Sequence, residues 1–281
     1  MKTMATGFFL KASHGQLFAL YYPPLSGNPH ALVVHVPAFA EEMNKSRRMV
    51  ALQAAELSRN NIGVLVLDLY GTGDSEGLMQ EASREIWRDD IHAAVNWLTQ
   101  QCSSTPVYLW GLRFGCALAV DYVSQAKTEV QGLLFWQPLL SAKMMLTQFL
   151  RLRVASAMTS QNSDETSPKT TKDLFSQLEY GIAVEVAGYL ISPELYTSLS
   201  AIDKEQPWFR ESQSVYWLDF AGAEATQPSA VNRKIINHWN QQGHSVQWKA
   251  VSGDRFWATQ EIAVAPKLIS ATTQLLSAVT A

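Results

Sequence analysis

Five consecutive residues, Gly111-Leu112-Arg113-Phe114-Gly115, have the spacing of a reactive turn but the wrong side chain at its centre. The run Val107-Tyr108-Leu109-Trp110 before them is apolar and strand-like. Cys116-Ala117-Leu118-Ala119-Val120 after them is a small-residue helical stretch. Strand, glycine-flanked turn and helix make a nucleophile elbow, in which G-x-S-x-G presents a serine hydroxyl for acyl transfer. Here arginine stands at the serine position. A guanidinium stays protonated and has no lone pair with which to attack a carbonyl. The turn therefore predicts a fixed positive charge at the start of a helix, beside backbone amides already suited to an anion.

The elements around this turn follow from hydrophobic periodicity. Gly7–Ala12 and Gln16–Tyr22 read as strands joined at His14-Gly15, and Ala31–Val36 and Gly63–Leu69 as short buried strands. Ser46–Leu57 and Arg84–Gln101 have helical periodicity, the second with Ile86, Ile91, Val95 and Leu98 on one face. Val130–Trp136 is the next strand. From Leu139 to about Ser212 the alternation stops; a helical stretch, Ala142–Met158, precedes a polar linker and further helical pieces. It then resumes with Ser214–Phe220 (strand), Ser229–Gln242 (helix), Ser245–Val251 (strand) and Glu261–Ala278 (helix). Buried strands alternating with helices imply a mostly parallel sheet covered on both faces. With a late insertion and two further strand–helix units, this is the α/β-hydrolase order. The expected organisation is a core of residues 1–138 and 213–281, with a helical cap inserted at 139–212.

That order says where the partners of an elbow residue would stand. The turn after the third strand, His35-Val36-Pro37-Ala38-Phe39-Ala40-Glu41-Glu42, would supply an oxyanion-hole amide. Pro37 has no N–H, so the donor would be Ala38 or Phe39, with the Phe114 amide as the second; the plainer reading is a mere connection. The acid would follow the glycine in Phe220–Pro228. Its place falls on Ala225, with Glu224 adjacent and Asp219 inside the strand. The base would fall on Phe256 in Val251–Trp257, and no histidine stands nearby; His238 and His244 read as surface residues. Nucleophile, acid and base are thus each replaced at their expected places, and triad chemistry needs an oriented imidazole to take the nucleophile's proton.

Nine Trp, eleven Phe and a hydrophobic content of 47% favour a deep core or an apolar pocket, and the net charge of −3 argues against a nucleic-acid partner. Two cysteines, Cys102 and Cys116, without metal-type spacing suggest a reducing compartment and no disulfide framework. No signal-like or membrane-spanning run is read, so the expectation is a cytoplasmic protein, with no cofactor and no metal, and with homo-oligomer formation left open. The loop Asp68–Gly77 has the wrong glycine spacing for a dinucleotide fingerprint and reads as a turn bordering a pocket. Asp89 and Asp90 read as a solvated helix face. The cluster Lys45-Ser46-Arg47-Arg48 opens a helix, where cations oppose the dipole, so it should pair with Glu41 and Glu42 or face a ligand.

Several long stretches carry a family resemblance: Pro37–Met49 (PAFAEEMNKSRRM), Leu109–Gly115 (LWGLRFG), Leu134–Val154 (LFWQPLLSAKMMLTQFLRLRV), Glu185–Leu195 (EVAGYLISPEL) and Phe256–Ile262 (FWATQEI). Through them the chain resembles the exosortase A system-associated hydrolases of the second type, a branch of the α/β-hydrolases. The resemblance implies a cytoplasmic bacterial protein whose genes lie beside exosortase, PEP-CTERM sorting and exopolysaccharide genes. It also implies an arginine at the elbow and no histidine as properties of the type. Three functions are then open. The first is a pseudoenzyme that binds an anionic or acylated ligand through Arg113, Phe114, Ala38, Phe39, Glu41, Arg255 and Phe256, with the apolar Met144–Met158 stretch receiving a tail. In that reading the alternative partner for Arg113 is an internal carboxylate: Glu41, Glu42, Asp68 or Glu224. The second is an esterase- or thioesterase-like hydrolase with a displaced site built from Cys116, Ser75, Glu41 and His35. The third is a protein-interaction module.

Overall fold

All six residues of the strand Ala31–Val36 are buried, as are all six of Val107–Leu112 and all five of Gly132–Trp136. Such strands must be covered on both faces, and in the computed structural model of the chain they lie at the centre of an eight-stranded sheet. The structure describes residues 5–125, 130–159, 170–205, 209, 211–221 and 225–280. In chain order the strands are β1 (Thr6–Lys11), β2 (Gln16–Tyr22), β3 (Ala31–Val36), β4 (Ile62–Leu67), β5 (Val107–Leu112), β6 (Gly132–Trp136), β7 (Val184–Val186), β8 (Tyr189–Ile191), β9 (Ser214–Phe220) and β10 (Ser245–Val251). The helices are α1 (Glu41–Arg59), α2 (Arg84–Gln101), α3 (Phe114–Gln125), α4 (Ala142–Thr159), α5 (Thr171–Glu179), α6 (Pro193–Glu205), α7 (Ala230–Gln241) and α8 (Pro266–Thr280).

The large sheet runs β1-β2-β4-β3-β5-β6-β9-β10. Only the pairings of β2 with β1 and β4 are antiparallel; the rest are parallel. Alternation along β3 splits the core. Leu32, Val34 and Val36 join one cluster with residues of α2 and α3, while Ala31 and Val33 join the other with residues of α1 and α8. This is the α/β-hydrolase fold that the element order predicts. Among the described residues no helix is long and apolar enough to cross a membrane.

Three sequence expectations change. First, α1 begins at Glu41 rather than Ser46, so the first turn carries Glu41 and Glu42, and the basic cluster lies beyond it. The carboxylates then complement the helix dipole instead of the cations opposing it. Second, between β6 and β9 the chain is not purely helical: the antiparallel hairpin β7–β8 stands between α5 and α6. Its strands have three residues each, too short to register as periodicity. Third, Asp90 is fully buried while Asp89 is exposed. Asp90 Oδ2 accepts the Tyr70 amide at 2.8 Å, and burial pushes the carboxyl up to about 7. The loop of Gly71, Gly73 and Gly77 is a turn, with φ of 73°, 55° and 86°. It leads into a short 3₁₀ turn, Met79–Glu81, rather than a helix.

The crossing of β5 and α3 depends on two glycines. A Cβ at Gly111 would stand 2.6 Å from Cys116 Cα, and one at Gly115 would stand 2.2 Å from the Val36 carbonyl oxygen. Both contacts are with backbone, which cannot step aside. Gly115→Ala should therefore lower stability by roughly 2–3 kcal/mol through overpacking. Gly27→Ala, with open space around its Cβ, should change it by no more than about 0.5 kcal/mol. Urea unfolding midpoints of the two variants check this; equal midpoints would show that the crossing tolerates a methyl group.

Candidate active site

The turn between β5 and α3 holds Arg113 at φ 55°, in the left-handed region that side chains other than glycine seldom occupy. The surrounding backbone over-determines it. The Arg113 amide donates to the Trp136 carbonyl at 3.0 Å, and the Arg113 carbonyl accepts from Cys116 and Leu139, each at 3.1 Å. A strained residue held this way at a strand-to-helix turn is the backbone of a nucleophile elbow.

The side chain is 10% exposed and its guanidinium is largely committed. Nε donates to both Glu42 oxygens, at 3.1 and 3.3 Å, and Nη2 donates to Gln148 Oε1 at 2.8 Å. Nη1 has only a long contact, 3.5 Å, to the Gln137 carbonyl. The cation also lies over the Trp257 ring, 5.5 Å from its centroid. Four parts of the chain thus meet on one guanidinium: the first turn of α1, the turn after β6, α4, and the loop after β10. Of the carboxylates proposed for Arg113, the partner is Glu42. Burial raises the Glu42 carboxyl above the usual glutamate range, and the charges of Arg113 and Lys45 only partly offset this.

Beside the pair is a cleft of about 160 Å³. Phe39, Leu139, Met145, Phe149 and Trp257 form apolar walls, and Glu41, Glu42, Lys45 and Gln148 supply the polar groups. Met145, Gln148, Phe149 and Leu152 repeat at helical spacing and turn one face of α4 toward it. Among the described residues no carboxylate lies within ion-pair distance of Lys45.

The other sequence candidates are distributed as follows. Ala38, Phe39 and Phe114 come together around a second, small cavity on the α2 side of the turn, and Phe39 packs edge-on against Phe114 and Phe149. Glu41 borders the cleft. Phe256 is fully buried among Trp136, Phe220 and Trp257, so it fills core rather than facing the cleft. Arg255 is exposed and is not among the cleft residues. Neither residue is brought to Arg113 as expected: the chain turns between them, sending the aromatic ring inward and the cation to solvent, and Trp257 meets the guanidinium instead. Asp219 is held by the Trp217, Asn232 and Trp248 side-chain N–H groups, at 2.8 Å each. Ala225 is partly buried, and Glu224 lies outside the described residues. His244 is buried rather than surface-exposed; its Nδ1 accepts the Gln213 amide, and its ring packs on Phe209.

The displaced nucleophiles are occupied too. Cys116 is fully buried, its thiol raised well above its usual value by burial and its Sγ directed at the Trp136 carbonyl. A buried thiol without its thiolate form is inert. Ser75 Oγ donates to the Asp68 carbonyl at 2.6 Å and accepts the Phe18 amide at 2.8 Å. His35 Nδ1 donates to the Trp110 carbonyl at 3.0 Å, and burial lowers its pKa to about 3. Sequence reasoning missed Gln137, Gln148 and Trp257 as partners of Arg113. The stripe on α4 was the available signal for Gln148; nothing local marks Gln137.

The comparison with known families fits this frame. Residues 27–178, more than half of the chain, match the family described as serine aminopeptidase, S33 (Hydrolase_4). The chain belongs to the S33 serine aminopeptidase family. Among solved structures, this S33 member is similar to Est1E from Butyrivibrio proteoclasticus with ferulic acid bound (14% identity, TM-score 0.65, 96% of this chain and 97% of that one). It is also similar to a soluble variant of monoglyceride lipase from Saccharomyces cerevisiae in complex with a substrate analogue (14%, TM-score 0.66, 99% and 94%). A third is the carboxyl esterase from Bacillus coagulans in complex with glycerol (15%, TM-score 0.60, 100% of each chain). At these identities the likeness is one of fold. No curated protein sequence matches the S33 chain.

The Arg113–Glu42 pair makes a measurable claim. Removing one partner leaves a largely buried group uncompensated, whereas removing both leaves none. Glu42→Leu should cost roughly 3 kcal/mol, and Arg113→Leu less, because Glu42 is 26% exposed and can hydrate or protonate. The double variant should be more stable than the sum of the single losses predicts, with a coupling of about 1–3 kcal/mol in unfolding free energy. Additive losses would mean that the pair is not energetically linked.

Proposed function

We propose that this S33 member is a non-triad relative of the hydrolases: it binds an acylated or otherwise tailed anion in the cleft above the elbow and does not cleave esters by serine–histidine–acid chemistry. One observation carries the reading. The elbow backbone is intact, yet its side chain is a guanidinium held by Glu42, Gln148 and Trp257, three residues that line an apolar cleft, and Lys45 on that cleft has no carboxylate paired to it among the described residues. The head of the ligand would meet Lys45 and, by displacing Glu42 or Gln148, the guanidinium of Arg113, and its tail the stripe of Met145, Phe149 and Leu152. Of the amide candidates only Phe39 borders this cleft; Ala38 and Phe114 stand around the small cavity on the α2 side. Ala225 and Phe256 at the acid and base positions, and the burial of Cys116, support the absence of a working or displaced triad.

In this reading residues 139–212 are a cap on the 1–138 and 213–281 core, and α4 is its ligand-facing helix. The resemblance to exosortase A system-associated hydrolases supports a cytoplasmic role beside protein sorting and exopolysaccharide export, where lipid-linked and acylated anions are handled. The esterase reading has no comparable support, since each of its candidate groups except Glu41 is buried or fully hydrogen-bonded.

Glu42 gives the binding a pH signature. Its carboxyl is already raised, so an incoming anion that shares Arg113 favours the protonated form, and binding takes up a proton. Affinity for decanoate, followed by calorimetry, should therefore rise as pH falls through the raised Glu42 value. It should fall about tenfold or more in Lys45→Ala, the loss of one charge-assisted contact, and Glu42→Gln should flatten the pH dependence. Binding that is indifferent to Lys45 and to pH would refute the site. Arg113→Ser should gain no activity on p-nitrophenyl esters and no fluorophosphonate label, because the base is still missing; turnover in that variant would restore the hydrolase reading.

A further inference from the structure

A further cavity, of about 190 Å³, lies on the opposite side of α1 from the cleft, between that helix and the sheet. Leu20, Met43, Val50, Val66 and Leu112 give it aliphatic walls, and Pro37 and Ala38 close the end nearest the elbow. Five side chains with polar groups also line it: His35, Asp68, Arg47, Tyr22 and Ser46, the last with its hydroxyl spent on the Glu42 carbonyl. None of them takes part in the site described above.

His35 and Asp68 are buried and offer unused acceptors. His35 is 2% exposed and Asp68 4%. The Nδ1–H of His35 is spent on the Trp110 carbonyl, which leaves Nε2 as a bare lone pair. The imidazole stays neutral, since burial and the nearby Arg47 charge both disfavour protonation. Asp68 Oδ2 accepts Arg47 Nη2 at 3.0 Å and the Asp74 amide at 3.1 Å. Among the described residues nothing donates to His35 Nε2 or to Asp68 Oδ1. Neither atom is among the fully enclosed polar atoms that lack a partner, so both face the cavity, where a donor from outside the protein can reach them.

The charge there is already balanced. Arg47, 42% exposed on its side chain, neutralises Asp68 at the mouth, so a further ion gains little. The volume is below the roughly 300–1,000 Å³ of drug-sized pockets. We propose that this cavity is a second ligand site, which takes a small neutral amphiphile with an aliphatic body and a hydroxyl end that donates to His35 Nε2 or Asp68 Oδ1. The site is independent of the anion reading of the cleft. It shares α1 with that cleft: Glu42 and Lys45 turn to one side, Met43, Arg47 and Val50 to the other.

The test uses the full chain and three six-carbon probes, 1-hexanol, n-hexane and hexanoate, followed by methyl-resolved NMR titration. 1-Hexanol should bind saturably and move the methyl resonances of Val50, Val66 and Leu112 while leaving those of Met145 and Leu152 in place. It should bind about fivefold or more tightly than hexane, the worth of one hydrogen bond, and more tightly than hexanoate. Ala51→Phe, which fills the cavity from its rim, should abolish these shifts, and Leu152→Trp in the cleft should leave them intact. The proposal is overturned if no saturable binding is seen up to the solubility limit of 1-hexanol, if hexane or hexanoate binds as well, or if the shifts map to the cleft. The wild-type titration alone decides the matter should Ala51→Phe fail to fold.

Discussion

The left-handed turn at Arg113 is the constraint on which the rest of the site depends. It forces β5 and α3 into a crossing so close that both flanking positions must lack a side chain, and it brings the α3 start against the loop after β3. Because Val36 and Pro37 oxygens lie where a Gly115 side chain would be, that loop cannot shift independently of the elbow. The turn at Ala40, with φ 49°, then sets the start of α1 and so the position of Glu42. A backbone built to present a reactive atom here presents a permanent charge, and the side chains nearby are arranged around that charge.

That arrangement is mixed in strength. A guanidinium offers five donors in a plane. Glu42 and Gln148 engage Nε and Nη2 well, while Gln137 engages Nη1 only at a distance. Trp257 supplies its face, which needs no hydrogen bond. Gln148 is neutral and comes from α4, so the contact between that helix and the elbow is a polar one that can be exchanged without separating charge. Glu42 is the costly partner: its carboxyl is raised despite two nearby cations, so burial outweighs their attraction. A neutralising group held under that penalty yields its place to a competing anion more readily than one held in a relaxed pair would.

Much of this was readable in the sequence, because the central strands are uninterrupted apolar runs. β3, β9, β10 and α2 fall on their expected residues, and the elbow glycines mark the turn without ambiguity. What was not readable depends on tertiary direction. Asp90 follows a solvated Asp89 and looks alike in the chain, but the adjacent helix position points at Tyr70. Arg255 and Trp257 are two residues apart, and only the shape of the loop sends the cation out and the indole onto Arg113. The start of α1 was missed because Ala40 offers no capping side chain, so the helix begins at a strained backbone turn instead of at a recognisable Ser, Thr, Asp or Asn.

The position of α1 explains why the polar groups of this face are divided as they are. The helix runs between two cavities, and its first turns alternate charged residues toward one and apolar residues with Arg47 toward the other. Ser46 closes its hydroxyl onto the Glu42 carbonyl at 2.6 Å, so the turn that carries the Arg113 partner is also fixed from the sheet side. Farther along, Gln53 ties the helix to Thr273 of α8 at 3.0 Å. Besides this tie and its strained start, α1 is held through its first two turns by Glu42 on Arg113, Asn44 on the Tyr189 hydroxyl and Arg47 on Asp68. Those turns hold Glu42 and Lys45 on one side and Met43 and Arg47 on the other, so the residue that meets the elbow guanidinium and the residue that meets Asp68 are set by one stretch of helix.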